Sequence, residues 1–387
     1  MTGGAAAGLP ARVAPVGGGA WGQARPGTGG TVTLGGAGGP RVSAVCLGTM
    51  LFGEGTPPAE ARRMLALAAD AGVRFFDSAE MYPVPQRAAT QGRSEAVLGQ
   101  WMAEESSAPR DAFFVATKVT GPSGQMKWIR GGPPRLDAAS IYEAVDGSLS
   151  RLRTDYIDLL QLHWPDRYVP MFGDVEYDPR NRYGATVPLE EQLGAVSRLV
   201  EQGKVRHFGV SNETPWGLMR LCELARADSR LPRVLTLQNS FSLLCRSFEA
   251  GLAECCLEED VSLLAYSPLA MGLLTGKYTD GSGGPSGARL NRYRGRYAEA
   301  EGRYALRPPV RAAVAAYGDL AAASGMSQLE LAVRFCVGHP LVGCMVAGAS
   351  DAAQLQAVLA AAEAPPLPED VLREVARIHR LHPSPAP

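Results

Sequence analysis

Eight short apolar runs, separated by amphipathic helical stretches, constrain the fold of this 387-residue chain more than any other feature. Such alternation is typical of a parallel sheet whose strands are joined by helices. Eight strand–helix units predict an α/β fold of the (β/α)8 TIM barrel type. A doubly wound open sheet is the alternative, but it would be expected to carry a glycine fingerprint after its first strand. The runs lie at 43–49, 73–77, 112–118, 156–163, 206–212, 234–239, 261–267 and 342–348.

Three connections in this pattern, 119–136, 164–187 and 279–306, are unusually long. Connections between strands and helices in such folds usually have roughly two to six residues. Each long connection follows a predicted strand or the helical start after one, so we expect all three on the face formed by the carboxyl ends of the strands. In barrel enzymes that face carries the chemistry.

The first 30 residues are rich in glycine, alanine and proline. Such a segment buries too little apolar area to offset the entropy of ordering it, so we expect residues 1–30 to be a disordered leader. Residues 31–387 are then expected to form a single barrel domain. Arg12 and Arg25, with no acidic residue in the leader, would also fit an organelle transit peptide, although the leader's lack of serine would not.

The leader contains one misleading motif. Gly17, Gly19 and Gly22 match the G-x-G-x-x-G fingerprint of dinucleotide-binding proteins. That fingerprint works only between a strand and a helix, where the glycines let a pyrophosphate approach the helix N-terminus. No apolar run precedes these glycines, and the density of glycine in the leader explains the match.

The overall composition excludes several classes of protein. A net charge of −1 and a pI near 6.6 provide no basic surface for nucleic acid. No apolar run reaches the roughly 18 residues of a membrane-spanning helix. The seven cysteines form neither a C-x-x-C pair nor a metal-ligand spacing with the five histidines, so no metal is expected. We expect a soluble protein of the cytoplasm, or of an organelle if the leader is a transit peptide.

Polar and titratable residues stand repeatedly where the predicted strands end. A strand buried on both faces should end in apolar or turn residues, so a single exception means little. Each of these residues also has an ordinary explanation, such as a helix cap for an aspartate or a hydrogen-bonded core position for a histidine. Six such ends around one barrel rim instead indicate a site. The residues concerned are Asp77, Lys118, His163, Ser211, Asn212, Gln238, Asn239, Tyr266 and Ser267.

Several segments together resemble the aldo-keto reductase superfamily over roughly residues 42 to 380. Within it, the chain is most similar to the Tas-like bacterial reductases, and potassium-channel β subunits are more distant relatives. Each motif is weak alone, but their order and spacing are specific. The segments are FFDSAEMY (75–82), ATK (116–118), LQLHWP (160–165), FGVSN (208–212), LQN (237–239), YSPLAMGLLTGKY (266–278) and VAGAS (346–350).

The resemblance implies a reductase of aldehydes or ketones with Tyr82 as its proton donor. Hydride delivery to a carbonyl carbon leaves an alkoxide that needs a proton, and a phenol with a pKa near 10 is a reluctant donor. A lysine ammonium about 4 Å away would lower that pKa by roughly three units. Lys118 suits this role, Asp77 would keep it charged, and His163 would orient the carbonyl oxygen.

The resemblance also implies an extended NADP(H) on the barrel, which needs no glycine fingerprint. Ser211, Asn212 and Gln238 resemble contacts to the carboxamide, and Tyr266 resembles the aromatic residue that stacks on the nicotinamide. The loop from Ser267 is similar to the family's pyrophosphate loop. The full set implied for cofactor binding is Thr49, Met50, Asp77, Ser211, Asn212, Gln238, Tyr266, Ser267, Pro268, Leu269, Lys277, Arg289, Gly348, Ser350 and Gln354.

The choice between NADP and NAD depends on the 2′-phosphate site. Arg289, Ser350 and Gln354 are the candidates. The segment GAS at 348–350 opens a helix after the last strand, where amide groups favour an anion. Two residues depart from the family pattern: Asp351 would repel a phosphate, and Val358 stands where an asparagine is frequent near the adenine. NADP(H) is the prediction, with NAD(H) as the alternative.

The substrate side offers aromatic loop residues and two arginines. These aromatic residues could form an apolar mouth for a small carbonyl compound or could simply pack the loops. The arginines could hold an acidic substrate or face solvent. The residues are Trp128, Trp164, Tyr168, Met171, Arg130 and Arg167.

Two other functions fit the same motifs. One is a regulatory or scaffolding subunit that binds the cofactor but turns over slowly, as the channel-subunit resemblance allows. The other is an aldolase or isomerase that uses Lys118 as a Schiff base. A lysine ion-paired with Asp77 is a poor nucleophile, which argues against the second.

Overall fold

A computed structural model describes residues 30–278 and 283–387 of the chain. Eight parallel strands close into a barrel, because the last strand pairs with the first as well as with its predecessor. The predicted (β/α)8 barrel is therefore confirmed, and the open-sheet alternative is wrong. The barrel strands are β3 (Val45–Gly48), β4 (Phe75–Asp77), β5 (Phe114–Val119), β6 (Ile157–Leu162), β7 (Val205–Ser211), β8 (Val234–Ser240), β9 (Ser262–Tyr266) and β10 (Val342–Ala347).

Helices surround the barrel wherever the sequence shows a helical apolar stripe. In α3, for example, Asp137 caps the first turn by accepting from Ser140 N at 2.9 Å, and Ile141, Val145 and Leu152 are buried on one face. The helices are α1 (Pro58–Asp70), α2 (Arg93–Glu104), α3 (Ala138–Leu152), α4 (Leu189–Glu201), α5 (Pro215–Ala227), α6 (Phe248–Glu258), α7 (Arg289–Arg292), α8 (Ala298–Tyr304), α9 (Pro308–Ala323), α10 (Gln328–Gly338), α11 (Ala352–Glu363) and α12 (Glu369–Leu381).

A two-stranded hairpin that the sequence analysis missed closes the amino end of the barrel. It consists of β1 (Thr31–Thr33) and β2 (Arg41–Ser43), and Leu34 between them is fully buried. The hairpin is fixed to the strand starts, since Gly35 N donates to Ser262 Oγ at 2.9 Å. Gly35 has a φ of 69°, and a Cβ there would lie 2.2 Å from the Leu235 side chain. Only glycine fits that turn.

The long connections lie at the opposite face, as predicted. Residues 120–137 follow β5, residues 163–188 follow β6, and residues 267–307 follow β9. Within the described ranges, no helix is long and apolar enough to cross a membrane. The predicted leader, with its three motif glycines, lies outside the described residues except for Gly30, so it stays a prediction.

Candidate active site

A cavity of about 1080 Å³ opens at the carboxyl ends of the barrel strands. It is the right size for a small-molecule or cofactor site. Of the residues that the sequence suggested for catalysis or cofactor binding, all except Thr49 and Lys118 line it. The lining candidates are Met50, Asp77, Tyr82, His163, Ser211, Asn212, Gln238, Tyr266, Ser267, Pro268, Leu269, Lys277, Arg289, Gly348, Ser350 and Gln354.

An ion pair lies beneath the floor of this cavity. Lys118, at the end of β5, is almost fully buried and donates to Asp77 Oδ2 at 2.6 Å and to Ser78 O at 2.7 Å. The other carboxylate oxygen of Asp77 accepts from Gln161 at 3.1 Å and from Gln238 at 2.9 Å. A buried charge needs this degree of compensation, so the pair is held rigidly.

Tyr82 and His163 meet above that pair. The Tyr82 Oη lies 3.5 Å from His163 Nε2, at the long limit of a hydrogen bond. The Lys118 Nζ lies 5.1 Å from the centre of the Tyr82 ring. A carbonyl oxygen placed between Oη and Nε2 could accept from both at ordinary hydrogen-bond length.

The pKa values of these two side chains keep both neutral. Burial, and then the Asp77 carboxylate, hold the pKa of Tyr82 well above its usual value. Burial, and then the Lys118 charge, hold the pKa of His163 well below its usual value. The net shift for Tyr82 is upward because desolvation and the Asp77 carboxylate favour the protonated phenol. That the Lys118 ammonium helps Tyr82 to give up its proton stays a prediction.

Thr49 is not among the residues that line the cavity, and its assignment to cofactor binding stays a prediction. Its hydroxyl donates to Asp77 O at 3.0 Å and lies 2.6 Å from Ser94 Oγ. Thr49 is fully buried. These contacts link the end of β3 to β4 and α2. The next residue, Met50, lines the cavity.

Polar groups surround Tyr266 at the ends of β7, β8 and β9. Tyr266 Oη donates to Asn212 Oδ1 at 2.7 Å, and Asn212 Nδ2 donates to His163 O at 2.9 Å. Asn212 adopts a left-handed φ of 54°, which aims its amide inward and which asparagine tolerates. Among the described residues, Gln238 Oε1 has no hydrogen-bond donor. A carboxamide would find both a donor and an acceptor here.

Two cations line the cavity farther from Tyr82. In the part of the chain that the structure describes, neither Lys277 nor Arg289 has an acidic partner within 4.0 Å. Burial, and then the charge of Arg289, lower the pKa of Lys277. The adjoining loop contains left-handed residues from Ser267 to Gly272, a backbone form that can turn amide groups towards an anion. This wall fits a phosphate-bearing ligand.

The start of α11 is less clearly prepared for a phosphate. Asp351 caps this helix, accepting from Gln354 N at 2.9 Å and from Gln354 Nε2 at 2.5 Å. Ser350 and Gln354 do line the cavity, but the Gln354 amide is held by Asp351. The cap occupies an amide group that an anion could otherwise use.

The substrate-side candidates separate into two groups. Trp164, Tyr168 and Met171 line the cavity, whereas Trp128 packs against the core instead. Both arginines are engaged elsewhere. Arg130 pairs with the buried Glu80. Arg167 pairs with Glu213 and lies 4.9 Å from the Trp216 ring. Neither arginine is free to hold an acidic substrate.

Three residues of the β9–α9 connection were not anticipated. Tyr297 and Glu299 line the cavity and hydrogen-bond to each other. Arg303 is 6% exposed and donates to Tyr266 Oη at 2.9 Å. Nothing in the spacing of these residues indicated the site, although a nearly buried arginine, such as Arg303 in α8, is the kind of group that needs a partner.

Comparison with known proteins agrees with this geometry. The model of the "Aldo/keto reductase family" matches residues 44–380. Protein tas of Escherichia coli K12 is 42% identical over 347 residues, 89% of this chain and 96% of that protein. The oxidoreductase YrpG of Bacillus subtilis is 29% identical, covering 87% of this chain and 91% of its own. A probable voltage-gated potassium channel subunit beta of Arabidopsis thaliana is 28% identical, covering 86% and 91%. The chain belongs to the aldo/keto reductase family.

Proposed function

We propose that this protein is an NADP(H)-dependent oxidoreductase that reduces aldehydes or ketones to alcohols, with Tyr82 as the proton donor. One observation carries the proposal. Tyr82 and His163 face each other at 3.5 Å in the cavity, directly above the buried pair of Lys118 and Asp77. This arrangement supports protonation of an oxygen by a neutral phenol at a buried position.

The roles of these residues follow from their contacts. His163, in the Nε2–H tautomer, orients the carbonyl oxygen of the substrate, and Tyr82 donates its Oη proton to that oxygen. A nicotinamide cofactor held in this cavity would supply the hydride that the carbonyl carbon accepts. Lys118 lies beside the Tyr82 ring, and its positive charge stabilises the phenolate that forms when Tyr82 gives up its proton. Asp77 keeps Lys118 in place.

The same cavity supports the cofactor assignment. Tyr266 would stack on the nicotinamide, and Ser211, Asn212 and Gln238 would hold its carboxamide. Backbone amides of the loop from Ser267 to Leu269, with Lys277, would hold the pyrophosphate. For the 2′-phosphate, the cap formed by Asp351 favours Arg289 over the start of α11 as the main contact.

The mouth of the site favours small carbonyl compounds with an apolar substituent. Trp164, Met171 and Phe172 line the cavity beside His163. Arg130 and Arg167 are ion-paired with Glu80 and Glu213, so these two arginines do not favour an acidic substrate. We also propose that the protein works in the cytoplasm, as an enzyme on free metabolites.

Replacement of the phenol tests the proposal. We expect purified protein to oxidise NADPH with a panel of aldehydes, and Tyr82→Phe to lose on the order of a hundredfold or more in rate. Tyr177→Phe, on an exposed loop position, is the matched control. Full activity in Tyr82→Phe would contradict the proton-donor role. NADPH binding without turnover of any aldehyde would instead favour the alternative function, a regulatory subunit. The similarity to a probable potassium channel subunit beta is the reason to keep that alternative.

Cofactor choice is tested separately by titrating NADPH and NADH and following fluorescence quenching. Arg289→Ala is expected to weaken NADPH binding on the order of tenfold and NADH binding little, because only NADPH carries the extra phosphate. Arg294→Ala, two residues beyond the end of α7 and exposed, is the control. Equal effects of Arg289→Ala on both cofactors would move the phosphate contact elsewhere.

A further inference from the structure

Arg303, in α8, holds Tyr266 at its hydroxyl. Its Nη1 donates to Tyr266 Oη at 2.9 Å and to Glu299 Oε1 at 3.2 Å, and its Nε donates to Pro387 O at 2.7 Å. The guanidinium carbon lies 5.7 Å from the centre of the Tyr266 ring. Three acceptors on separate segments fix this charge against one phenol.

The contact continues from Tyr266 into the reaction centre. Tyr266 Oη donates a hydrogen bond to Asn212 Oδ1 at 2.7 Å. Asn212 in turn donates to His163 O at 2.9 Å. The Tyr266 hydroxyl therefore accepts from a cation and donates to Asn212, and the accepted bond places the positive charge of Arg303 directly on the phenol oxygen.

Two charges of opposite sign act on Tyr266, and their order decides the sign of the effect. Arg303 bonds the phenol directly, whereas Glu299 contacts that arginine and lines the cavity. Burial raises the pKa of Tyr266, and the Arg303 charge opposes that rise more than Glu299 adds to it. Arg303 is thus the charge in direct contact with Tyr266, and its removal would leave the negative charge of Glu299 on this side of the ring.

This charge has different consequences for the two forms of the cofactor. The nicotinamide ring is cationic when oxidised and neutral when reduced, so a positive charge behind its stacking partner opposes only the oxidised form. We propose that Arg303, through its hydrogen bond to Tyr266, makes this site bind reduced cofactor in preference to oxidised cofactor. The inference rests on the proposed stacking of the nicotinamide on Tyr266, and Arg303 is a positioning and charge-bearing residue.

The test is the ratio of the dissociation constants of NADP⁺ and NADPH, each measured by titration calorimetry on the full chain. A unit charge roughly 8 Å from the nicotinamide ring, at an effective dielectric constant between that of the protein surface and that of water, changes this ratio on the order of fivefold. Arg303→Met should lower the ratio by about that factor, and Arg303→Lys should restore most of it. Glu299→Gln, which leaves Arg303 in place, should raise the ratio.

The controls separate this effect from a loss of structure. Arg311→Met, at an exposed position on α9, should leave both constants unchanged. Equal weakening of both forms in Arg303→Met would overturn the inference, since a merely structural arginine affects both alike. If Arg303→Met fails to fold, an unchanged ratio in Glu299→Gln overturns it instead. Failure of the unmodified protein to bind either form would overturn the proposed function, and this inference with it.

Discussion

Lys118 and Asp77 show how a single pair of residues joins stability to chemistry. Both side chains are buried, and each satisfies the charge of the other at 2.6 Å. A buried pair of this kind contributes little compared with an apolar pair, but breaking it leaves one charge without compensation. The same desolvation that makes the pair costly also keeps Tyr82 protonated above it.

Removal of the lysine alone should therefore be strongly destabilising. We expect Lys118→Met to lower the free energy of unfolding by about 3–5 kcal/mol, because Asp77 then stays buried with only amide donors. The double variant Asp77→Asn/Lys118→Met should lose clearly less than the sum of the single variants. Urea denaturation measures all three. Additive losses would mean that the two side chains are not coupled.

The neutral states of His163 and Tyr82 predict the pH dependence of the reaction. Burial moves the pKa of His163 down from 6.5 and that of Tyr82 up from 10, so neither titrates between these values. We expect kcat for carbonyl reduction to be flat from about pH 6.5 to about pH 9.5. A limb inside this window that disappears in His163→Gln would show that the imidazole is not held neutral.

At this scale the sequence was most informative where a residue stands at a strand end. Asp77, Lys118 and His163 end neighbouring strands, so barrel geometry alone predicts that they approach one another. Arg303 could not be found in that way. It is 37 residues beyond Tyr266 in a connection of irregular length, and only the packing of that loop brings the two together.

Among the elements, the segment 120–137 after β5 is held by one buried ion pair. Glu80 accepts from Thr120 N at 2.6 Å and from Arg130, and Arg130 donates back to Thr120 O at 3.0 Å. Glu80 lies two residues before Tyr82. The pair therefore joins the loop that carries the proton donor to the neighbouring loop of the rim.

Arg130 pays a backbone cost for this contact, because its φ is 52°. We expect Arg130→Ala to lower the free energy of unfolding by about 3–5 kcal/mol through the unpaired Glu80. Arg130→Gly should cost roughly 1 kcal/mol less than Arg130→Ala, since glycine adopts left-handed backbone freely. Chemical denaturation compares them, with exposed Arg135→Ala as the control. Equal losses of unfolding free energy in Arg130→Ala and Arg130→Gly would show that the left-handed backbone at this position does not lower stability.

The elements themselves were predictable to different degrees. All eight barrel strands lie where apolar runs indicated them, since a strand buried on both faces leaves a continuous apolar signature. The hairpin of β1 and β2 was missed because its turn is rich in glycine and resembles a linker. A Cβ at Gly35 would lie 2.2 Å from the Leu235 side chain, so this glycine is required by close packing, which composition alone does not distinguish from flexibility.

On the scale of the whole molecule, the two ends of the barrel have separate tasks. Every candidate for catalysis or cofactor binding that lines the cavity does so at the carboxyl end of the strands or on the connections beyond them. The amino end is closed by the hairpin, where Leu34 packs with Leu235, Leu264 and other residues inside the barrel. Conserving the barrel while the rim loops vary is what lets one fold serve many substrates.

This division predicts that stability can be lowered from the amino end without touching cofactor binding. Leu34→Ala removes a fully buried side chain and should lower the free energy of unfolding by about 2–5 kcal/mol. The dissociation constant of NADPH should stay unchanged below the melting range, because Val346 and Tyr266 are the only described residues that belong both to the Leu34 cluster and to the cavity lining. Val32→Ala, on the partly buried β1, should lose less stability and serves as the control. Thermal unfolding measures the loss of stability, and calorimetric titration of the same samples measures the dissociation constant of NADPH. Weaker NADPH binding in folded Leu34→Ala would show that the barrel floor transmits its packing to the cofactor site.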